Sequence, residues 1–330
     1  MMMPPQKPHR SFTRMVFMTL AGMIFSFSLI ANVYLLAYAG LFGSSGSLEN
    51  VVSEGTADQK IAVIPISGII DGGMAAQVNE WFKKLEKDKN VKAIVLAIDT
   101  PGGSVTASDQ IHHAVQSLRQ SRNIPIVVSM GALSTSGGYY IACGTDHIIA
   151  QETTLTGNIG VLMPRFNLSE MVKRWGVEER TLTAPRDGFK NAGSMFAPEN
   201  EKDREYLQRI IDNAYTRFTT LVNEGRKGKL KGDPAQMYNG QVFTARDALA
   251  NGLVDEIGYP DKAYEWAAAK AGLTKPRIVK YQPRPSIMDL LSSMAGAGLS
   301  AGNSSVSVTL DTKSIDELTT PRLMYLWRGE

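Results

Sequence analysis

The chain has 330 residues, 43% hydrophobic and 20% charged, which is the composition of a globular protein with one or two domains and argues against a disordered chain. The net charge is only +3, and no basic stretch is interleaved with aromatic residues, so a nucleic-acid partner is not expected. The single cysteine, Cys143, excludes an intramolecular disulfide, and no Cys/His cluster has the spacing of a zinc site.

The first feature along the chain is segment 15–42, which carries no charged residue. A helix needs about 20 apolar residues to cross a bilayer, so this segment is predicted to be a transmembrane anchor. Basic residues precede it and no acidic residue does, so the positive-inside rule places residues 1–14 in the cytoplasm and the rest of the chain outside it. A cleaved signal peptide is the alternative, but its apolar region is usually only about 7 to 15 residues long.

The pattern after the anchor predicts a linker followed by an α/β domain. Residues 43–59 are rich in glycine and serine and lack apolar periodicity, which is typical of a linker. Short apolar runs then predict buried strands at 60–70, 91–99 and 124–131, with helices at 74–87 and 105–121 between them. This β-α-β-α-β order predicts a parallel sheet with helices packed on it.

Further elements are predicted downstream. Two short strands flank a turn at 156–160, residues 179–184 are extended, and 240–258 form a strand, a short helix and a strand. Helices are predicted at 167–175, 199–224, 261–271 and 286–300, and the polar segment 301–314 is predicted to be flexible.

Two loops of small residues follow consecutive predicted strands. They read "DTPGGS" at 99–104 and "MGALSTSGG" at 130–138. Functional residues of parallel sheets collect beyond the carboxyl ends of strands, and glycine lets a ligand approach the backbone closely. A plain tight turn is the alternative for either loop alone. The occurrence of two such loops favours a functional site.

The sequence favours a nucleophilic serine that is activated by a residue other than histidine. The G-x-S-x-G motif of Ser-His-Asp hydrolases is absent, and none of the four histidines lies in either loop. A neutral lysine also activates a serine when its surroundings lower the amine pKa. Lys190 lies beside Phe189 in a stretch without another charge until Glu199, which makes it a candidate base. An ordinary surface lysine is the alternative.

Five motifs in this order resemble one family. They are "DTPGGSV", "MGALSTSGGYYIAC", "ETTLTGNIGVLM", "GFKNAG" and "GQVFTARDALANGLVDEIG". Together they resemble the bacterial signal peptide peptidase A group of membrane-anchored serine peptidases, peptidase family S49, over about residues 60–283. The fold that this resemblance implies is of the ClpP/crotonase type, built from β-β-α superhelical units.

The resemblance also implies roles for particular residues. The serine immediately before "GGYY" is the family's nucleophile, which is Ser136 here. The segment "GFKNAG" supplies the general base, Lys190, with Lys173 and Lys202 as remote alternatives. The backbone N–H groups of Gly103 and Gly137 match the oxyanion hole.

One position departs from the family pattern. The family commonly has a serine after "TLTG" that bonds the catalytic lysine, whereas this chain has Asn158. An amide oxygen accepts the same hydrogen bond but favours the charged amine, which affects the expected pH optimum. The implied mechanism needs no metal and no cofactor.

The family's substrates are remnant signal peptides, and its members are anchored in the cytoplasmic membrane and assemble into rings. For a short chain the resemblance implies a homo-oligomer, an octameric ring, with the catalytic domain on the extracytoplasmic side. Two rival functions remain at this point. One is a crotonase-like enzyme acting on acyl thioesters, and the other is a non-catalytic peptidase-like scaffold.

The resemblance ends before the C-terminal extension, residues 284–330. Its last part, "PRLMYLWRG" at 321–329, is unusually apolar for a chain end. The preferred hypothesis is that this segment docks on a neighbouring subunit. The alternative is that it occupies the enzyme's own hydrophobic groove, which truncation after Pro283 would test.

Overall fold

The computed structural model describes residues 10–41, 48–186, 188–283 and 322–328. Helix α1 (Arg10–Leu41) contains residues 15–41 of the uncharged N-terminal segment. Within the described residues it is the one helix long and apolar enough to cross a membrane, with a mean hydropathy of 1.9 over Arg14–Leu35. The predicted apolar helix is therefore confirmed.

The rest of the described chain forms eleven strands and eight helices. The strands are β1 (Leu48–Ser53), β2 (Thr56–Ser67), β3 (Val91–Thr100), β4 (Gly102–Ser104), β5 (Ile126–Thr135), β6 (His147–Ala150), β7 (Leu155–Gly157), β8 (Val242–Thr244), β9 (Glu256–Ile257), β10 (Pro276–Gln282) and β11 (Met324–Leu326). The helices are α2 (Gly72–Lys87), α3 (Val105–Arg122), α4 (Gly137–Ala142), α5 (Ser169–Arg174), α6 (Glu201–Gly225), α7 (Pro234–Met237), α8 (Ala245–Ala250) and α9 (Pro260–Ala271).

Nine strands form one sheet in the order β1-β10-β2-β3-β5-β6-β9, with β7 paired to β5 and β8. The strands from β10 to β9 in this order run parallel to their neighbours. The predicted β-α-β-α-β order is confirmed as β2-α2-β3-α3-β5. Separately, β4 and β11 form a two-stranded antiparallel ribbon.

Both faces of the central strands are buried. In β2, Ala62 and Ile64 belong to a hydrophobic cluster with α2, α3 and α4, whereas Ile61 and Val63 belong to a second cluster with α9. Successive residues of a strand point to opposite faces, so covering both faces with helices requires an apolar residue at nearly every position. This explains the uninterrupted apolar runs in the sequence.

A buried ion pair ties the end of α6 to the loop before β9. The guanidinium of Arg226 donates to both carboxylate oxygens of Asp255, at 2.8 and 2.9 Å, and its side chain is 2% exposed. Burial opposes ionisation of Asp255, but the hydrogen bonds and charge of Arg226, helped by hydrogen bonds from Lys229 and the Ile148 N–H, outweigh burial and lower the pKa of Asp255 to about 2. Bidentate geometry of this kind makes the pair strong.

The linker prediction for residues 43–59 is wrong for the described part of that segment. Strand β1 and the start of β2 lie there, and β1 pairs with β10 at the edge of the sheet. The described side chains of β1 are mostly exposed, so this edge strand lacks the apolar pattern by which strands are recognised in a sequence.

Other boundaries also differ from the predictions. The predicted turn at 156–160 overlaps β7, which is held extended between β5 and β8. Residues 179–184 form no strand, and the helix predicted at 167–175 is the shorter α5. The strand-helix-strand prediction for 240–258 is confirmed by β8, α8 and β9. The predictions for 286–300 and 301–314 lie outside the described residues.

Candidate active site

Ser136 lies at the sharp turn between β5 and α4. Its backbone has φ 53° and ψ −111°, a conformation that residues other than glycine rarely adopt. The turn is held by hydrogen bonds from the Ser136 N–H to the Gly157 carbonyl and from the Tyr140 N–H to the Ser136 carbonyl, both 2.8 Å. Strained backbone of this kind is concentrated at functional sites.

The Ser136 hydroxyl is buried, and no hydrogen-bond partner for it exists among the described residues. The neighbouring hydroxyls of Ser134 and Thr135 share both properties. Those two residues differ from Ser136 because they are regular strand positions, paired with β7. Backbone conformation therefore distinguishes Ser136 from its neighbours, and its unpaired hydroxyl remains available to a ligand.

The glycine-rich loops after β3 and β5 meet beside Ser136. A Cβ atom placed on Gly137 would lie 3.3 Å from the Gly103 nitrogen and 2.4 Å from the Ser108 Oγ. A Cβ on Gly103 would lie 2.0 Å from the Ile70 carbonyl oxygen. The structure thus brings Gly103 and Gly137 together, and close packing leaves no room for a side chain at either position.

The C-terminal strand β11 lies across these glycines. Tyr325 pairs with Gly103 in antiparallel register. Just outside this pair, Trp327 N–H donates to the Pro101 carbonyl at 2.8 Å, and Val105 N–H donates to the Leu323 carbonyl at 3.2 Å.

The opposite edge of β11 is also paired. Met324 and Leu162 exchange two backbone hydrogen bonds, of 2.9 and 3.1 Å. The segment is therefore bound on both edges as an extended strand, which is a general way of recognising peptides. The preferred hypothesis that it docks on a neighbouring subunit does not describe this chain, in which the segment occupies its own groove.

The position of the Tyr325 carbonyl follows from the alternation of antiparallel pairs. Hydrogen-bonded and non-hydrogen-bonded pairs alternate along an antiparallel ladder, and the pairs two residues away, Val105 with Leu323 and Pro101 with Trp327, are hydrogen-bonded. The pair of Gly103 and Tyr325 is therefore also of the hydrogen-bonded kind, which directs the Gly103 N–H toward the Tyr325 carbonyl oxygen. A Cβ on Gly102 would lie 2.0 Å from that oxygen and 2.8 Å from the Gly137 nitrogen. A peptide carbonyl thus lies where the sequence predicts the oxyanion hole.

The side chain of Tyr325 fills an aromatic pocket and is fully buried. Its ring stacks on Tyr140, with centroids 5.0 Å apart, and packs on Phe218 at 4.6 Å. Its hydroxyl donates to the Ala214 carbonyl at 2.8 Å. Burial raises the pKa of Tyr325, so the phenol is neutral and acts as a donor. Sequence reasoning missed this pocket, although the apolar chain end was a signal for it.

The structure does not bring Lys190 to Ser136. The Lys190 side chain is exposed, as are those of Lys173 and Lys202, the alternative bases. The adjacent Phe189 ring stacks on Tyr206 of α6 with centroids 4.6 Å apart, which gives this segment a fixed contact with the domain.

Asn158 lies next to the glycine whose carbonyl holds Ser136. Its φ is 52°, a left-handed conformation that asparagine adopts more readily than most residues. Its side-chain amide donates to the Gly240 carbonyl. The amide nitrogen is thus engaged by the backbone, which leaves the Asn158 Oδ1 as the acceptor for a further donor.

Two of the described histidines, His112 and His147, pack against aromatic rings. His112 packs edge-on against Tyr140, and burial lowers its pKa to about 4, so it is neutral. His147 stacks on Trp266 with ring centroids 4.9 Å apart. In the described part of the chain, no group of three or more His, Cys, Asp or Glu side chains has a geometry that holds a metal ion.

Comparison with known proteins identifies the family. The family profile described as Peptidase family S49 matches residues 118–274, and that described as NfeD1b, N-terminal domain, matches residues 60–170. The protein named "Putative protease slr0021" of Synechocystis sp. is 31% identical over 274 residues, which are 82% of this chain and 96% of the relative. The chain belongs to peptidase family S49. Its activity is accordingly that of a protease, and its α/β fold with an N-terminal apolar helix is confirmed as that of an S49 peptidase.

Two further relatives have more specific names. The "Putative signal peptide peptidase SppA" of Enterococcus faecium is 29% identical over 305 residues, 87% of each chain. The "Serine protease SPPA, chloroplastic" of Arabidopsis thaliana is 29% identical over 251 residues, which are 74% of this chain and 36% of that protein.

Proposed function

We propose that this S49 protein is a membrane-anchored serine endopeptidase with Ser136 as nucleophile and Lys190 as general base. One observation carries the proposal. The unpaired Ser136 hydroxyl lies at a strained turn beside Gly103 and Gly137, where the carbonyl of a strand-bound peptide is located. An acyl-transfer enzyme needs this combination of a free nucleophile and backbone donors around one carbonyl oxygen.

The proposed reaction has two steps. Ser136 Oγ attacks the peptide carbonyl carbon while the neutral amine of Lys190 accepts the hydroxyl proton, and the protonated amine then gives that proton to the leaving nitrogen. The N–H groups of Gly103 and Gly137 stabilise the oxyanion, an effect worth about 3–4 kcal/mol per donor in other peptidases. Water then hydrolyses the acyl-enzyme by the reverse sequence of proton transfers.

This mechanism requires Lys190 to approach Ser136 more closely than it does in the single chain. Lys190 lies in the segment between α5 and α6, in which several apolar side chains are exposed, including Leu182 at 98%. Trp175, at the end of α5, is 76% exposed. These exposed apolar side chains indicate that another protein surface covers this segment. We therefore propose a homo-oligomer, an octameric ring by family resemblance, in which this segment is packed. Asn158 then offers its Oδ1 to the lysine in place of the usual serine.

The proposed substrates are apolar peptides at the membrane, including remnant signal peptides. The support is the binding of an apolar strand, "LMYLW", across the site, together with helix α1. Basic residues before the apolar segment favour a cytoplasmic N-terminus and an extracytoplasmic peptidase domain, residues 60–283. The cytoplasmic membrane is the proposed location.

The test is hydrolysis of a fluorogenic apolar peptide in detergent by the full chain carrying Tyr325→Ala, which releases the chain's own segment from the groove. Ser136→Ala is expected to abolish turnover. The matched control is Ser134→Ala, which removes a buried serine hydroxyl of strand β5 that also lacks a partner among the described residues, and it is expected to keep turnover. Lys190→Ala is expected to abolish turnover and Lys202→Ala to retain it. An inactive Tyr325→Ala chain, whose groove is no longer held by its own segment, would favour the non-catalytic scaffold.

A further inference from the structure

Helix α1 carries one amide side chain, and it lies in the part of the helix that is proposed to cross the membrane. Asn32 belongs to the uncharged segment 15–42, ten residues from the nearer end, which is about 15 Å along a helix axis. The hydrocarbon core of a bilayer is about 30 Å thick, so this depth places the amide within the hydrocarbon. Because there is no water at this depth, a polar side chain is stabilised by hydrogen bonds within its helix or to another helix.

The hydrogen bonds within α1 leave the Asn32 amide incompletely satisfied. Its Nδ2 donates to the Ser28 carbonyl at 2.7 Å and lies 3.3 Å from the Ser28 Oγ, but its Oδ1 accepts no hydrogen bond from any described residue. Thr19 differs, because its hydroxyl has two acceptors in its own helix, the carbonyls of Met15 and Val16 at 3.0 and 2.9 Å. The Asn32 amide therefore keeps an acceptor for a donor on another helix.

Asn32 lies on a stripe of α1 whose positions are alternately three and four residues apart. We call this stripe the Asn32 face, and it consists of Met18, Ala21, Phe25, Ser28, Asn32 and Leu35. All six side chains are exposed. The spacing is the a/d pattern of helices that pack as a left-handed pair, in which a single asparagine at an a position fixes the register.

A second copy of α1 is the partner that matches this face. Copies of one chain insert into the membrane with the same orientation, so two α1 helices run parallel and place their Asn32 amides at the same depth. Each amide has both a donor and an acceptor, so the Nδ2 of one copy is able to donate to the Oδ1 of the other. The proposed homo-oligomer also brings several anchors into one patch of membrane, which raises their effective concentration.

We infer that the Asn32 face is a pairing surface through which two copies of α1 associate within the membrane, with the hydrogen bond between their Asn32 amides setting the register. The inference rests on the proposed membrane anchor and gives that anchor a part in assembly. Apolar side chains gain little from leaving lipid for one another, so the amide supplies the specificity of the contact. Pairing of the anchors also keeps two peptidase domains close together, as the approach of Lys190 from another chain requires.

Disulfide crosslinking tests which face of α1 is paired. Membranes are isolated from bacteria that express the full-length Ser136→Ala chain, so that no chain cleaves another, and are oxidised with copper phenanthroline. Leu35→Cys places a thiol on the Asn32 face, and Val33→Cys places one at a similar depth but about 160° away around the helix. We expect Leu35→Cys to form covalent dimers at least tenfold faster than Val33→Cys. Equal rates, or faster crosslinking of Val33→Cys, would overturn the inference. The chain without an added cysteine is expected to give no dimer, because Cys143 is buried.

A pair of leucine substitutions tests the role of the amide. In the Leu35→Cys background, Asn32→Leu is expected to slow crosslinking about 3- to 20-fold, the effect of losing one hydrogen bond between helices in a membrane. Thr19→Leu is the matched control, because it also replaces a polar residue by leucine but removes a hydroxyl that is bonded within its own helix. Its crosslinking rate is expected to stay unchanged. An unchanged rate for Asn32→Leu, or an equal loss for Thr19→Leu, would contradict the role of Asn32.

Extraction of the same membranes with alkaline carbonate separates this inference from the proposed function. A chain that carbonate releases would refute the membrane anchor and the pairing together. A chain that resists extraction but crosslinks equally at positions 33 and 35 would refute the pairing alone. Peptide hydrolysis is measured separately with Ser136 intact, and an inactive chain that still crosslinks through the Asn32 face would refute the endopeptidase function and leave the pairing in place.

Discussion

Substituting Gly102 by alanine tests the position of the bound carbonyl most directly. The new Cβ would lie 2.0 Å from the Tyr325 carbonyl oxygen and 2.8 Å from the Gly137 nitrogen. Both distances are shorter than real Cβ contacts, so the peptide carbonyl has to leave this position. Gly102 also has a φ of 101°, which alanine adopts only with strain.

The substitution has two separable effects, one on the free energy of unfolding and one on kcat. The backbone strain is expected to lower the free energy of unfolding by about 1–2 kcal/mol. Displacement of the carbonyl from its backbone donors is expected to reduce kcat by about 100- to 1,000-fold, the effect of losing one oxyanion donor. The second effect acts on turnover and not on folding.

Gly228→Ala is the matched control, because Gly228 has a φ of 75° and nothing lies within 4 Å of its Cβ position. Hydrolysis of a fluorogenic apolar peptide and thermal unfolding are measured for both variants. We expect both to lose stability and only Gly102→Ala to lose turnover. If kcat of Gly102→Ala stays within threefold of that of Gly228→Ala, the assigned carbonyl position is wrong.

Three further predictions concern the ion pair, the lysine and a buried tyrosine. The pKa of Asp255 is lowered from the ordinary value of 3.8 to about 2. The ionised Asp255 is therefore expected to contribute its full stabilisation of the fold at pH values above 3.8, and this stabilisation is lost as the pH falls through about 2. Asp255→Asn leaves the Arg226 charge buried without its partner and is expected to lower the free energy of unfolding, measured with urea at neutral pH, by about 3–5 kcal/mol. A decrease of less than about 1 kcal/mol would contradict this. Lys190 does not reach Ser136 within one chain, so we expect the lysine of one subunit to serve the serine of another. Mixing inactive Ser136→Ala and Lys190→Ala chains is then expected to restore peptide hydrolysis. No recovery after subunit exchange would mean that the lysine comes from the same chain. Tyr139→Phe removes a buried 2.8 Å hydrogen bond to a backbone carbonyl and is expected to lower unfolding free energy by about 1–2 kcal/mol, and an unchanged urea midpoint would refute it.

Local patterns predicted the central sheet and the region of the site. The runs that became β2, β3 and β5 are apolar at nearly every position because both faces of the sheet are covered. The exposed edge strand β1 was missed for the opposite reason, since its pairing with β10 leaves its side chains in solvent. Periodicity reports burial, and a strand without buried side chains gives no such signal.

The sequence by itself determined that the chain has an apolar N-terminal helix, an α/β domain and a small-residue loop at Ser136, because these features depend on neighbouring residues. Only the tertiary structure decided that Tyr325 pairs with Gly103 and that its hydroxyl meets Ala214. These contacts join residues more than a hundred positions apart. They depend on which strand edge and which helix carbonyl remain available after the sheet has formed, and no local pattern carries that information.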